Sequence, residues 1–365
     1  MDLLEKITFL YPVILGLIYL FNIEPFFITA PYFFLILIII MILMIYRGKL
    51  IIKKKLNVLI VFFIVIISTI NFSSVRYSLP VLFTIYIFIF QLFIYSSNKT
   101  DEKFSKKNLI FFFTTYVSFS FVFLIAFDFS FIAISNRFNG FVGSPTVYSA
   151  FIIISYILVD LKFETRIWKR IFIYTLVFIF TLLSKTRLTL AFMIVYPFII
   201  YAVNTNKIKK QYLFLIVFGT LFFIYPAYEL IASYYPEMLV SRYKGGRDSS
   251  FALRNYLSSI MRIEYFQGSV GEILFGRGNE YSRLLVKDIL NKDLFPHNDF
   301  FRIIIDWGVL GSLVFFLYLY RIAKQNTESL MISILYLILF YSNMIFNLFI
   351  ISILILVSNN KSHVK

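Results

Sequence analysis

The stretch FPHNDFFRIIIDWGVLGSLVFF, Phe295–Phe316, decides how this chain is read. It opens on Phe295, Pro296 and His297, passes Asn298 and Asp299, and then turns apolar for the length of a helix. Arg302, Asp306 and Trp307 lie inside the apolar run, followed by Gly308 and Gly311. A helix of this kind belongs to a buried core or to a membrane span. In a span, ionisable groups are costly and mark functional interiors.

The rest of the chain chooses the membrane. Of its 365 residues 60% are hydrophobic, 21% aromatic and only 15% charged, with a mean hydropathy of +0.84. An ordinary soluble domain is about 45–50% apolar and about 25% charged. Runs of roughly 20 apolar residues, enough to cross a bilayer, recur from end to end. About twelve candidate spans follow from that rule: Ile7–Phe21, Tyr32–Tyr46, Leu56–Phe72, Ser78–Tyr95, Leu109–Phe127, Val147–Leu161, Ile171–Leu183, Leu188–Val203, Tyr212–Tyr228, Ile303–Tyr320, Leu330–Asn343 and Ile345–Val357. The short pairs around SKTR and NMIF also fit re-entrant hairpins. The N-terminus MDLLEKITFL mixes acids with its lysine and offers no small-residue cleavage site, so the first span is expected to remain in place.

The loops set the orientation. RGKLIIKKK, SSNKTDEKFSKKN, KFETRIWKR, NTNKIKKQ and RIAKQNTES are basic and alternate with lysine-poor loops. By the positive-inside rule the basic loops and both termini are cytoplasmic. The same rule accounts for the formal net charge of +16, so no nucleic-acid partner is implied. One loop, Glu229–Phe301, is long, polar and on the outside. Its segments YLSSIMRIEYF and EYSRLLVKDIL carry apolar residues near helical spacing. The expected fold is therefore all-α: a polytopic integral membrane protein with about twelve transmembrane helices and a small helical extracytoplasmic cap. Residues 1–228 hold the first nine spans, 229–301 the cap, and 302–365 the last three spans and a cytoplasmic tail.

The chemistry-bearing residues lie outside. The chain has two histidines, and the second, His363, is in the polar tail. His297 precedes a helix whose N-cap is Asn298 or Asp299. The positive end of the helix dipole disfavours imidazolium, leaving a neutral ring suited to general-base work. An interfacial histidine that only supports the cap is the alternative reading. Arg302 and Asp306, four residues apart, share a face, where Asp306 is expected to hold Arg302. Gly308 and Gly311 permit close packing of that helix. Arg137 in SNRFNGFVGSP, Arg187 in LSKTRLTLA, and Arg247 and Arg254 in SRYKGGRDSSFALRN come from separate external loops. The planar guanidinium grips phosphate oxygens in pairs, so such a set suits a diphosphate. Any one of these arginines also reads as a solvated surface charge. LFGRGNE lacks the spacing and the Lys-Ser/Thr ending of a P-loop, which removes nucleotide binding. Cysteine is absent, and no His/Asp/Glu group has metal-ligand spacing.

Taken in order, RFNGFVGSPTVYSA, LLSKTRLTLAF, ALRNYLSSI with EILFGRGNE, and PHNDFFRIIIDWGVLG resemble the landmarks of the bacterial O-antigen polymerase and O-antigen ligase superfamily. The landmarks run from about Arg137 to Gly311. SPTVY stands where the family often has Pro-Asn, and Asp306 where it often has glutamate. The resemblance implies glycosyl transfer, without metal or cofactor, at the outer face of the bacterial cytoplasmic (inner) membrane. The donor is a glycan on undecaprenyl diphosphate. In the polymerase the acceptor is a second lipid-linked unit and a chain-length regulator protein is a partner; in the ligase the acceptor is lipid A core. His297 would be catalytic, Arg254, Arg187, Arg137 and Arg247 would bind the diphosphate, and Asn298, Arg302 and Asp306 would support them. A flippase or other transporter is the reading from a different class. Against it, hydropathy shows no inverted repeat and the external loop is large. Multi-span transferases that use polyprenyl-phosphate sugars usually carry acidic catalytic residues in the first external loop, where this chain has only Glu24.

Overall fold

A computed structural model describes residues 6, 8–14, 60, 62–66, 79–96, 106–126, 137–138, 140, 144–163, 166–205, 207–234, 249–291, 298–342 and 347–359. Among the described residues the chain is all-helical, with no strand. The helices are α1 (Leu79–Ser96), α2 (Lys106–Ala126), α3 (Pro145–Lys162), α4 (Ile167–Leu183), α5 (Arg187–Asn204) and α6 (Lys210–Tyr234). They continue as α7 (Ser249–Phe266), α8 (Val270–Phe275), α9 (Tyr281–Leu290), α10 (Asp299–Ala323), α11 (Thr327–Leu339) and α12 (Leu348–Asn359). Each apolar run expected as a span from Ser78 onward coincides with one of these helices to within a few residues. The runs at Ile7–Phe21 and Leu56–Phe72 lie largely outside the described residues, and Tyr32–Tyr46 lies wholly outside them.

Four of these helical segments are long and apolar enough to cross a membrane: Lys107–Ile125, Pro145–Lys162, Arg187–Asn204 and Asp299–Ala323. Three further apolar helices are shorter. The described residues therefore show a helical, membrane-embedded protein with four candidate spans by length and composition.

Burial sorts the helices into a centre and a rim. In α3 every residue from Tyr148 to Asp160 is buried, and α11 and α12 are buried along nearly their whole length. Such helices are hydrophobic all round and sit among others. The rim helices keep one apolar face outward: Ile194, Val195, Phe198 and Tyr201 on α5, and Leu310, Leu313 and Leu317 on α10. A soluble protein would hide these stripes, whereas hydrocarbon is their natural solvent.

Two antiparallel ring pairs set the register of α6 on α10: Phe214 meets Tyr320 at 5.9 Å and Phe218 meets Phe316 at 4.7 Å. The first part of α10 folds back onto the same cluster, with Phe300 6.3 Å from Phe222 and 5.9 Å from Phe316. At one end of the bundle, Lys162 pairs with Glu328 at 3.2 Å, joining the C-terminus of α3 to the start of α11. Beside them, Asp160 accepts from Arg170 at 2.5 and 2.8 Å and from the Tyr196 hydroxyl at 2.7 Å. Asn326 caps α11 through Ser329 N–H at 2.7 Å and donates to the Val357 carbonyl at 2.8 Å. The C-terminus of α10 adjoins this basic end. The opposite end therefore collects the start of α3, the α4–α5 turn and the Gly308 region of α10, which is where the candidate site lies.

Candidate functional site

Two backbone junctions build that end. The first joins the Arg137 segment to the α4–α5 turn: the Phe138 N–H donates to the Leu183 carbonyl at 3.0 Å. The Phe138 ring lies edge-on to Tyr148 and near Phe180, with centroids 5.1 and 6.3 Å apart. Gly140 has a φ of +56°, and a Cβ there would lie 2.0 Å from the Tyr148 ring. The glycine of RFNG is thus required both by its backbone conformation and by the ring beneath it. In the turn, the Ser184 hydroxyl donates to Thr181 O at 2.6 Å and Lys185 adopts a φ of 50°. Arg187 follows as the first residue of α5, so Arg137 and Arg187, both exposed, stand on segments that meet.

The second junction was not legible as a contact in the sequence. At Gly308 the φ of 70° and ψ of −179° break α10. Helical bonds from residue 309 to 305 and from 310 to 306 span that position, so the break disrupts both. The turn after α8 takes their place: Arg277 N–H donates to Ile305 O at 2.9 Å and Gly278 N–H to Asp306 O at 3.1 Å. Backbone lies directly on backbone. A Cβ on Gly276 would meet Asp306 O at 2.3 Å, and one on Gly308 would meet Leu274 O at 2.3 Å. LFGRG is therefore a plug for a broken membrane helix. Gly308, read from the sequence as a packing residue for an intact helix, is instead the break that receives it.

Side chains lock the plug. Asp306 accepts from Ser282 N–H at 2.9 Å, from its hydroxyl at 3.2 Å and from Glu280 N–H at 3.3 Å, and so caps the N-terminus of α9. Arg302 donates to Glu280 Oε1 at 2.5 Å, and Trp307 Nε1 donates to Asn279 Oδ1 at 2.7 Å. Asp299 and Asp306 lie 3.6 and 3.8 Å from the Arg302 guanidinium. All of these side chains are buried. This corrects the expected role of Asp306: it does lie within ion-pair distance of Arg302, but its hydrogen bonds go to the loop, and the close partner of Arg302 is Glu280. Sequence reasoning missed Asn279, Glu280 and Ser282. The available signal was the coincidence of three polar residues after Gly-x-Gly with three others, Arg302, Asp306 and Trp307, before a glycine inside a span.

Arg277, between the two glycines, binds the hairpin together. It pairs with the Glu264 carboxylate, donates to Glu264 O at 3.0 Å and Tyr281 Oη at 2.8 Å, and lies 3.6 Å from Glu272. Ser269 and Glu272 form a capping box at the start of α8, with Ser269 N–H to Glu272 Oε2 at 2.7 Å and Glu272 N–H to Ser269 Oγ at 3.3 Å.

Of the remaining expected site residues, Asn298 is the N-cap of α10, accepting from Phe300 N–H at 3.1 Å. Arg254 falls in α7, but its side chain lies outside the described residues. His297 and Arg247 lie outside them altogether. An apolar groove of about 420 Å³ runs between α6, α7 and α10, lined by Phe218, Phe222, Phe266, Leu313 and Phe316, with Arg262 and Tyr265 alongside. Its volume falls within the range of about 300–1,000 Å³ typical of ligand clefts. No protein-family model matches this chain, and no curated protein or solved structure matches it. Fold and site together define a class: a helical membrane protein in which the α7–α9 hairpin is bolted into the break of a membrane helix.

Proposed function

We propose that this protein polymerises undecaprenyl-diphosphate-linked oligosaccharide repeat units into a surface polysaccharide, O-antigen or capsule, at the outer face of the cytoplasmic membrane. One observation carries the reading: the landmarks meet in pairs at one end of the bundle. RFNG lies against the SKTR turn through Phe138 and Leu183, and LFGRG lies against DFFRIIIDWG through Arg277 and Ile305. The groove beside α10 offers an apolar channel of the kind a polyprenyl chain would occupy.

The finer architecture belongs to the same reading: about twelve spans, both termini cytoplasmic, and residues 229–301 outside. An acceptor hydroxyl attacks the anomeric carbon of the donor sugar. A new glycosidic C–O bond forms as the bond to the lipid diphosphate breaks. His297 takes the hydroxyl proton, and Arg254, Arg187, Arg137 and Arg247 stabilise the charge gathering on the leaving diphosphate. Asn298, Arg302, Asp306 and the plug they hold position the start of α10, immediately after His297.

The test uses the purified protein in proteoliposomes with lipid-diphosphate-linked repeat units as sole substrate. A ladder of lipid-linked polymer with release of undecaprenyl diphosphate is expected, and His297→Ala should abolish it, since a positioned general base contributes about 10²–10⁴-fold. Transfer only onto added lipid A core would make the protein a ligase. Movement of the units across the bilayer with no new glycosidic bond would make it a flippase. Wild-type ladders from His297→Ala would return that histidine to a capping role.

A further inference from the structure

The helix α8 and the end of α7 expose large apolar side chains: Ile263 is 58% exposed, and Phe266 and Val270 are each 73%. No residue of α8 is buried, although the helix ends in the plug of α10. The depth of that plug tells what covers them. About 13 residues, or about 20 Å, separate Gly308 from Arg321 at the basic end of α10, and about 24 Å separate it from Lys324. A hydrocarbon core is about 30 Å thick. Any tilt of the helix only brings Gly308 nearer to that end. Gly308, and Leu274 packed on it, therefore sit roughly 6–10 Å below the opposite face of the core.

We propose that α8 is a re-entrant element, sunk into the lipid leaflet at the site end of the bundle. This goes beyond the catalytic reading and does not depend on it. The occupant of the exposed face is the acyl-chain region of the bilayer, continuous with the lipid-facing Leu310, Leu313 and Leu317 of α10. Irregular backbone is tolerated at such depth only where its polar groups are satisfied. Here the capping box closes the start of α8, Gly276 N–H donates to Glu272 O at 2.8 Å, and Arg277 and Gly278 donate into α10. The hairpin's charges close on one another as well, since Arg277 meets both Glu264 and Glu272.

The absence of native cysteine allows a direct test. Val270→Cys, Phe266→Cys and, as a water-facing control on α9, Asp288→Cys are labelled with a bimane fluorophore in the full-length protein and placed in nanodiscs. Phosphatidylcholine carrying a spin label on its acyl chain should quench positions 266 and 270 several-fold more than position 288, with blue-shifted emission. Both substituted hairpin residues are largely exposed, so the fold should tolerate the change. Equal quenching at all three positions, with equal reaction rates toward a water-soluble thiol reagent, would overturn the proposal. So would efficient Val270→Cys cross-linking between two copies with no lipid quenching, which would assign the face to a second copy of the chain.

Discussion

Replacing Gly308 by alanine tests the plug at its centre. The residue occupies a backbone region that is essentially glycine-only, and a side chain there costs about 1–3 kcal/mol. The new Cβ would also meet Leu274 O at 2.3 Å and Gly276 N at 2.5 Å, both backbone atoms that cannot swing aside. Forcing an extra methyl into a packed site costs about 1–3 kcal/mol more. The sum is about 2–6 kcal/mol, set against a typical total stability of about 5–15 kcal/mol. Undocking the turn is no cheaper an escape, because it would separate Arg302 from Glu280, and breaking a buried pair costs about 3–5 kcal/mol. Trp307 is a built-in reporter, buried and bonded to Asn279. The only other tryptophan, Trp168, is exposed on α4 and can be changed to phenylalanine. In detergent micelles, Gly308→Ala should lower the unfolding midpoint and shift Trp307 emission to the red. Gly219→Ala on α6 is the matched control, because its Cβ would meet nothing within 4 Å. A Gly308→Ala protein that melts with the wild type and shows unshifted Trp307 emission would refute the plug.

Glu280→Gln should destabilise the protein by a few kcal/mol, about the 3–5 expected when a buried charge loses its partner, and Arg302→Met in the same chain should recover part of the loss; chemical or thermal unfolding of the single and double variants reads both. In the polymerisation assay, Arg254→Lys should fail to restore full activity, since lysine keeps the charge but loses the planar fork. Wild-type polymer from both Arg254→Ala and Arg187→Ala, expressed normally, would remove the proposed diphosphate site.

The helices were legible in the sequence because membrane-scale apolar runs are a one-dimensional signal. Pro145 to Lys162 and Asp299 to Ala323 announce themselves by length and composition, and Asn298 by its place before the run. The hairpin segments around YLSSIMRIEYF and EYSRLLVKDIL were legible by helical spacing. Landmark order was legible too, and with it the expectation of chemistry at one end. What α8, Gly276 and Gly308 do was not. A glycine in an apolar run reads equally as a packing notch or a break, and only a partner some 30 residues away in the chain, lying backbone to backbone, decides between them. Likewise, the i,i+4 spacing of Arg302 and Asp306 made them look like partners, whereas the loop supplies Glu280 and Ser282 at closer range. Local pattern determined that the chain is helical and meant for lipid, because periodicity and hydropathy act residue by residue along the chain. Tertiary structure decided which loop stops which helix, because close approach, freed carbonyls and buried charges are satisfied only by groups that folding brings together.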